Sequence, residues 1–240
     1  MKIALIGYGK MGKEIESIAL KRGHEISKII DIKNNEEFGS EELMHSDVAI
    51  EFTMPESAFE NILKCFNNNL PVVSGTTGWL NELKKVEKEC MKNNQSFFYA
   101  PNFSIGVNIF FKLSQFLTKW MNKIGDYNVT LEEIHHIHKK DAPSGTAVAL
   151  ANDIIENYPE KSSWVLDPDD VVQADEIPII SQRKDMTPGT HEVAWESDVD
   201  SIEIIHTAKN RKGFALGAVL AAEYIVDKKG VFNMDDLLDS

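Results

Sequence analysis

Short apolar runs alternate with segments of helical periodicity over the first part of the chain. The apolar runs have the length of strands and occur at residues 2–6, 24–31, 47–53, 71–74 and 96–100. Between them, apolar residues recur three and four positions apart, as on one face of an amphipathic helix. Strands that alternate with helices in this way predict an α/β fold with a doubly wound parallel sheet.

A glycine-rich segment follows the first apolar run and precedes the first helical segment. Gly7, Gly9 and Gly12 have the spacing Gly-x-Gly-x-x-Gly, which in this position is the fingerprint of a Rossmann-type dinucleotide-binding domain. Asp31 stands 19 residues beyond Gly12, where such folds place the acid that binds the adenosine ribose. Lys33 could instead accept a 2′-phosphate, so both NADH and NADPH stay candidates.

The second part of the chain has a different pattern. After a long helical segment at 105–123, apolar and polar residues alternate at 127–134, 177–183, 191–196 and 201–207. Such alternation is typical of half-buried strands, here expected to be antiparallel strands of a mixed sheet. The apolar stripe of the long helix, expected in the core, comprises Ile109, Phe110, Leu113, Phe116, Leu117 and Trp120. We predict a dinucleotide-binding domain at 1–104, completed by 210–240, and an α+β substrate domain at 105–209.

Residues 132–147, with the sequence EEIHHIHKKDAPSGTA, concentrate the candidate chemistry. They contain three of the seven histidines and two lysines. In one continuous strand, His135 and Lys139 would lie roughly 13 Å apart, too far to act on one small substrate. Either the chain leaves the extended conformation after His136, or only one of the two residues does chemistry. The loop composition before Pro143 favours the first alternative.

Ser144 has the character of a helix N-cap, and the helix is predicted to run to about Tyr158. Gly145 and Thr146 lie in its first turn, where backbone N–H groups have no partner within the helix and the helix dipole favours anions. Small side chains leave these groups accessible. The sequence therefore predicts a carboxylate-binding site at the helix start.

Metal binding is the main competing interpretation of this segment. His135, His136, His138 and Asp141 are all possible ligands. A strand would send His135 and His136 to opposite faces, however, and no ligand pair of the HExxH type is found. We predict a site without metal.

Composition and charge narrow the choice of partners. The net charge of −13 argues against nucleic acid, which requires a basic face. An acidic protein that binds an anionic substrate must concentrate positive charge locally, and residues 135–140 are the densest such cluster. The two cysteines lack CxxC spacing, which favours a reducing compartment. The sequence shows no signal-peptide pattern and no long apolar run, which favours a cytoplasmic location without a membrane partner.

Two further segments lie where strands are predicted to end, which is where open α/β sheets bind ligands. The first is the turn Gly75-Thr76-Thr77-Gly78, and the second is Pro101-Asn102-Phe103-Ser104. By contrast, residues 187–190 are interpreted as a turn. A binding role for Gly189, Thr190 or His191 stays an open alternative, and none of the three is assigned to a site.

Five motifs together resemble the 4-hydroxy-tetrahydrodipicolinate reductase (dihydrodipicolinate reductase) family. In chain order they are GYGKMG at 7–12, GTTG at 75–78, APNFS at 100–104, HHIHKKDAPSGTA at 135–147 and NRKGFALGA at 210–218. The fourth motif is highly specific to that family. The resemblance implies NADH- or NADPH-dependent reduction of 4-hydroxy-tetrahydrodipicolinate in lysine and diaminopimelate biosynthesis. It also implies a homotetramer formed through residues 105–209.

The resemblance implies roles for individual residues as well. His135 would donate or accept a proton, Lys139 would donate one, and His136, Gly145 and Thr146 would bind the dicarboxylate substrate. The implied cofactor-binding residues are Gly7, Tyr8, Gly9, Lys10, Met11, Gly12, Asp31, Gly75, Thr76, Thr77, Ala100, Pro101, Asn102 and Phe103.

Two other functions stay open on the residues alone. One is a different two-domain NAD(P) oxidoreductase, which would not need the HHIHKKDAPSGTA motif. The other is a regulator that binds NAD(H) without catalysis, which predicts a partner surface or a DNA-binding element. Neither a basic patch nor a helix-turn-helix is visible in the sequence.

Overall fold

The computed structural model describes residues 1–168 and 172–240 and divides into two compact units. One unit comprises Met1–Asn108 and Arg211–Ser240, and the other comprises Ile109–Asn210. Among the described residues, no helix combines the length and the apolar character that crossing a membrane would require.

Strands alternate with helices through most of the chain. The strands are β1 (Lys2–Ile6), β2 (Glu25–Ile30), β3 (Val48–Glu51), β4 (Val72–Ser74), β5 (Ser96–Tyr99), β6 (Asn128–His135), β7 (Ser163–Leu166), β8 (Glu176–Arg183), β9 (Thr190–Glu196), β10 (Ser201–Thr207) and β11 (Gly230–Phe232). The α-helices are α1 (Lys10–Lys21), α2 (Glu41–Met44), α3 (Pro55–Asn67), α4 (Leu83–Lys92), α5 (Ile105–Ile124), α6 (Gly145–Asn157), α7 (Lys212–Ile225) and α8 (Met234–Leu238). Short 3₁₀ segments lie at Ile32–Gly39 and Leu80–Glu82.

The first unit is built on a six-stranded parallel sheet with helices on both faces. Its strand order is β11-β5-β4-β3-β1-β2. Successive side chains of a strand point to opposite faces, and β1 shows this directly. Ile3 and Leu5 pack in one core cluster with residues of α1 and α7, whereas Ala4 and Ile6 pack in another with residues of α3 and α4. The predicted doubly wound α/β fold is confirmed.

This sheet has one more strand than the sequence pattern predicts. β11 is only three residues long, and it extends the sheet beside Ser96–Phe98 of β5. A strand this short at the sheet edge has no detectable apolar periodicity. Its pairing is therefore decided by tertiary contacts.

The second unit contains a mixed five-stranded sheet in the order β10-β9-β6-β8-β7. β9 runs antiparallel to β6 and to β10, as predicted, but β8 runs parallel to β6. The expectation that β8 is antiparallel was therefore wrong. The connection between β6 and β8 contains both α6 and β7, so no hairpin joins these two strands and nothing forces them to run antiparallel. Leu150, Ala151 and Ile154 of α6 pack in one core cluster with residues of this sheet.

Helix α5 buries only part of the apolar stripe assigned to its core face. Phe110 is 4% exposed, and Phe110 and Leu117 pack in the core cluster of the second unit. Ile109, Leu113, Phe116 and Trp120 are 44–63% exposed. The buried residues of the same helix include two small polar side chains, Ser114 and Thr118. The Thr118 hydroxyl donates to the Ser114 carbonyl at 2.8 Å, so this buried donor has a hydrogen-bond partner. The prediction was therefore right for Phe110 and Leu117 and wrong for the four exposed residues.

Candidate active site

The chain leaves the extended conformation where the sequence predicts it should. β6 ends at His135, and a turn follows in which the Lys139 N–H donates to the His136 carbonyl at 3.0 Å. The Lys139 ammonium lies 2.7 Å from a carboxylate oxygen of Asp141. His135 and Lys139 are thus not held apart along a straight strand.

The predicted helix start is also found. Ser144 caps α6, and its hydroxyl oxygen accepts from the Ala147 N–H at 3.2 Å. Gly145 is exposed and Thr146 is half-buried. Because the first N–H groups of a helix have no partner within it, this end of α6 can receive an anionic group.

A completely buried carboxylate, Glu133, connects the strand end to the helix start. Its Oε2 atom accepts from the Ser144 N–H at 2.9 Å, and its Oε1 atom accepts from the Ser181 hydroxyl at 2.7 Å. The Arg183 guanidinium lies 3.3 Å from Oε1. Burial alone would raise the pKa of Glu133, but the hydrogen bonds from Ser144 and Ser181 outweigh burial and lower it.

Three histidines lie beside this carboxylate or in the same row of the sheet. Glu133 on β6 is paired across the sheet with His191 on β9, which is paired with His206 on β10. The His135 ring stands 5.0 Å from the His191 ring, centroid to centroid. Burial lowers the pKa of His135 and of His206, and it lowers the pKa of His191 to about 4. These rings are therefore neutral near neutral pH.

His191 is the residue of this cluster that the sequence interpretation left out. Its Nε2 atom lies 3.0 Å from the Ser144 hydroxyl and 3.7 Å from Glu133. Gly189 in the preceding turn also approaches the site, since a Cβ atom there would lie 3.1 Å from the His135 ring. The available signal was the register of alternation, which puts His191 on the same buried face as Val193 and Trp195.

His136 and His138 occupy a more open part of the segment. His138 is exposed and His136 is half-buried, and their ring centroids are 6.2 Å apart. The buried Nδ1 atom of His136 has no hydrogen-bond partner in the part of the chain that the structure describes. His136 therefore retains an unused polar atom at the turn that precedes Lys139.

The metal ligands considered from the sequence do not form a cluster in the part of the chain that the structure describes. A different group does, because Glu133, His135 and His191 bring ligand atoms within 4.8 Å of one another. The Glu133 carboxylate in that group already pairs with Arg183 and accepts from two serines. Its charge is thereby compensated, and a site without metal stays our prediction.

The buried histidines predict that acid destabilises the protein. His191 binds a proton below about pH 6.5 when unfolded but only below about pH 4 when folded, so acidification in this range favours the unfolded state. From about pH 7 to about pH 5 we expect His191 to account for a loss of about 2 kcal/mol in the free energy of unfolding. His135 and His206 act in the same direction.

Urea denaturation at the two pH values measures this effect. His191→Gln should lose less stability on acidification than the parent, whereas the exposed His138→Gln should behave as the parent does. Equal losses in the parent and His191→Gln would contradict the assignment.

The glycine-rich segment of the first unit forms a cradle before α1. Gly7 has φ +93°, and a Cβ atom there would lie 2.2 Å from the Phe52 carbonyl oxygen. A Cβ atom at Gly12 would lie 2.3 Å from the Gly7 carbonyl oxygen. Gly9, in contrast, is the N-cap of α1 without a capping side chain. Apart from its chain neighbours, no described residue has an atom within 4 Å of its Cβ position. The cradle thus leaves space and unpaired N–H groups where a pyrophosphate would fit.

A cavity of about 220 Å³ adjoins this cradle. Four of the predicted cofactor-binding residues line it, namely Gly7, Tyr8, Gly9 and Asp31. The sequence interpretation missed Asn35, Phe52, Thr53, Met54, Ser57 and Asn61, which also line it. Asn35 lies in the 3₁₀ segment after β2, Phe52, Thr53 and Met54 follow β3, and Ser57 and Asn61 belong to α3, so only the tertiary structure brings them together. Lys10, Met11 and Gly12 belong to the first turns of α1.

The other predicted cofactor residues lie near Phe52 or in the core. A Cβ atom at Gly75 would meet the Phe52 ring, and the hydroxyl of the buried Thr76 accepts from the Thr53 N–H at 2.8 Å. Thr77 and Pro101 are exposed and Asn102 is half-buried. Ala100 and Phe103 are 1% and 2% exposed and belong to the core cluster with α7.

Gly9→Ala provides a test of the cradle. Its φ of −78° suits any residue and its surroundings are open, so we expect parental stability. The added methyl group would occupy the approach of the pyrophosphate, and the affinity for NADH and NADPH should fall on the order of tenfold or more.

Protein fluorescence on cofactor titration measures the affinity, and thermal melting measures the stability. Gly39→Ala is the matched control, because its Cβ position is also open and it does not line the cavity. Unchanged affinity in Gly9→Ala would contradict the predicted binding mode.

Comparison with known proteins decides the family. The family model described as dihydrodipicolinate reductase, N-terminus, matches residues 1–103, and the model described as dihydrodipicolinate reductase, C-terminus, matches residues 106–238. The chain belongs to the dihydrodipicolinate reductase family. The resemblance carried by the five motifs is thereby confirmed.

Curated relatives agree over nearly the whole chain. The 4-hydroxy-tetrahydrodipicolinate reductase of Christiangramia forsetii is 51% identical over 99% of this chain and 98% of its own length. The protein of the same name from Methanocaldococcus jannaschii is 36% identical over 98% of this chain and 80% of its own length.

The fold is shared with a solved member of the family. The dipicolinate-bound dihydrodipicolinate reductase from Paenisporosarcina sp. TG-14 has a TM-score of 0.81 at 23% identity, covering 97% of both chains. At that identity the likeness concerns the fold. It agrees with the parallel sheet of the first unit and the mixed sheet of the second.

Proposed function

We propose that the chain reduces 4-hydroxy-tetrahydrodipicolinate to tetrahydrodipicolinate with NADH or NADPH, a step of lysine and diaminopimelate biosynthesis. It is an NAD(P)H-dependent oxidoreductase, consistent with the names of the curated relatives that it matches over nearly its full length. In this proposal Met1–Asn108 with Arg211–Ser240 bind the dinucleotide, and Ile109–Asn210 bind the substrate.

The arrangement around Glu133 Oε2 supports the substrate site. This single oxygen lies 2.9 Å from the Ser144 nitrogen and 3.6 Å from the His135 ring nitrogen Nδ1. A proton-transfer group and an anion-binding helix start therefore lie next to each other. We assign Gly145 and Thr146 to a substrate carboxylate, with His136 as a further contact.

The cofactor fits the cradle of the first unit. Gly7 and Gly12 have no room for a side chain, whereas the space around Gly9 is open. Asp31 lines the adjoining cavity, which supports its proposed role as the acceptor for ribose hydroxyls. When bound, NADH or NADPH supplies the hydride. Gly75–Thr77 and Ala100–Phe103 complete the assigned cofactor residues.

Proton transfer is assigned to His135 and Lys139. Burial lowers the pKa of His135, with Lys139 and Arg183 acting in the same direction, so the ring of the free protein is neutral near neutral pH. An incoming dicarboxylate brings negative charge, which raises the pKa of a neighbouring imidazole and favours its protonated form. Lys139 carries its ammonium group beside Asp141 and is the second proton donor.

The remaining expectations concern where and how the chain works. We propose a homotetramer and a cytoplasmic location on the basis of the resemblance. Apolar side chains exposed on α5 in the single chain include Phe116 and Trp120, and such side chains are common at interfaces. That the protein binds neither nucleic acid nor a membrane stays a prediction.

The decisive experiment follows the near-ultraviolet absorbance of the reduced cofactor with freshly generated 4-hydroxy-tetrahydrodipicolinate, in parallel for NADH and NADPH. Rapid loss of absorbance with either cofactor is expected, and the ratio of the two rates gives the preference. No loss of absorbance, with cofactor binding intact by fluorescence, would overturn the proposed reaction. The dinucleotide-binding fold would then serve another oxidoreductase activity or a sensor.

A further inference from the structure

Glu133 is a buried acid for which the proposed mechanism has no role. It lies two residues before His135 on β6, so both side chains point to the same face of the sheet. It is completely buried, at 0% exposure. Burying a carboxylate is costly unless it is paired and hydrogen-bonded, and a site that retains one this close to a proton-transfer group requires an explanation.

The distance to His135 suggests what the carboxylate does. Glu133 Oε2 lies 3.6 Å from His135 Nδ1, and this buried nitrogen has no hydrogen-bond partner among residues 1–168 and 172–240. A modest movement of either side chain would close the contact, and hydrogen bonds of this kind are often long before substrate binds. A carboxylate facing Nδ1 favours the tautomer with the proton on Nδ1, which leaves Nε2 for the reaction.

The same carboxylate anchors the two neighbouring parts of the site. Its Oε2 atom holds the Ser144 N–H at the start of α6, and its Oε1 atom pairs with Arg183. Arg183 in turn donates to the carbonyl of Lys139 at 3.3 Å and to the carbonyl of Asp141 at 2.6 Å. The ion pair therefore links His135, the loop that carries Lys139 and the anion-binding helix start.

We propose that Glu133 is a positioning residue for the reduction. It orients His135 through Nδ1 and holds the Lys139 loop and the α6 start in register through Arg183 and Ser144. The proposal rests on the proposed roles of His135 and Lys139.

The charges around His135 predict the direction of the pH effect. Glu133 faces it from β6, Arg183 from β8 and His191 from β9, while Lys139 and His136 face it from the turn. Of these groups only Glu133 favours the imidazolium. Its replacement should therefore lower the pKa of His135 further and move the pH at which activity is lost on the alkaline side to a lower value.

Glu133→Gln tests the proposal, with Glu132→Gln as the matched control. Glu132 is the preceding residue on the opposite face of β6, where it accepts from Gln182 at 2.5 Å. For Glu133→Gln we expect kcat to fall at least about tenfold with unchanged affinity for NADH, and the pKa of His135 to fall. Glu132→Gln should keep the parental kcat, affinity for NADH and His135 pKa.

Nitrogen-15 NMR of the imidazole groups measures the His135 pKa directly, with the His135→Gln spectrum used to assign its signals. A purely structural role for Glu133 would lower stability and activity but leave the pKa of His135 unchanged. Parental kcat in Glu133→Gln, or loss of kcat without a change in this pKa, would overturn the proposal.

A measurement on the parent protein keeps the proposal testable if Glu133→Gln does not fold. The nitrogen shifts of neutral His135 identify its tautomer, and the proposal requires the proton on Nδ1. A proton on Nε2 would overturn it. The tautomer measurement does not depend on turnover. A failure of the proposed reaction is detected separately, by the absorbance assay on the parent protein.

Discussion

His135→Gln and Lys139→Ala should each lower kcat by about 10²–10⁴-fold, the contribution typical of a positioned proton donor. Both residues border the turn after β6, and neither belongs to the unit that contains the glycine cradle. The affinity for NADH and NADPH should therefore stay near the parental value. Initial rates at saturating substrate and fluorescence titration with cofactor measure the two quantities separately.

Neighbouring residues provide matched controls for these variants. His138→Gln removes an exposed histidine and Lys140→Ala removes an exposed lysine from the same segment. Both controls should retain kcat within a few-fold of the parent, because neither side chain is held at the carboxylate cluster. If His135→Gln and Lys139→Ala also retain parental kcat, the assignment of proton transfer to these residues is wrong.

Gly217→Ala should cause the largest loss of stability among single methyl additions. A Cβ atom at Gly217 would lie 1.7 Å from the Phe103 carbonyl oxygen, so helix α7 or the chain at Phe103 must move. Main-chain atoms cannot move aside as a side chain can, and overpacking of this kind costs about 3 kcal/mol or more. Phe103 is also an assigned cofactor residue, and its displacement should weaken NADH binding.

Gly213→Ala separates close packing from the effect of glycine on the helix. It adds the same methyl group to α7, where the nearest atom would be the Ser104 hydroxyl oxygen at 3.6 Å, an ordinary contact. Alanine also favours a helix over glycine by about 1 kcal/mol, so this variant should be as stable as the parent or slightly more stable. Urea denaturation compares the two variants, and parental stability of Gly217→Ala would contradict the packing argument.

The structure also explains why an acidic chain can serve an anionic substrate. The net charge is −13, yet Arg183 donates to the carbonyls of Lys139 and Asp141, in the loop that leads to the proposed anion-binding start of α6. The Glu133 carboxylate that pairs with Arg183 is buried. Positive charge can therefore be concentrated locally, independent of the overall charge.

Local sequence determined the elements and several site positions. The strand-glycine-helix order placed the cradle at Gly7–Gly12, because glycine is required where backbone segments touch. Loop composition and Pro143 indicated that the chain turns after β6, and the Ser144 cap indicated where α6 begins. These features depend on interactions within a few residues, which a single sequence contains.

Tertiary structure alone decided the rest. The parallel direction of β8, the pairing of β11 and the exposed side of α5 depend on contacts between segments distant in sequence. The same holds for the cluster of Glu133, Arg183 and His191, whose members come from three strands. A sequence pattern indicates which face a residue occupies on its own strand, but the strand order decides which side chains meet. The burial of the Glu133 charge is favourable only with the partners that this order supplies.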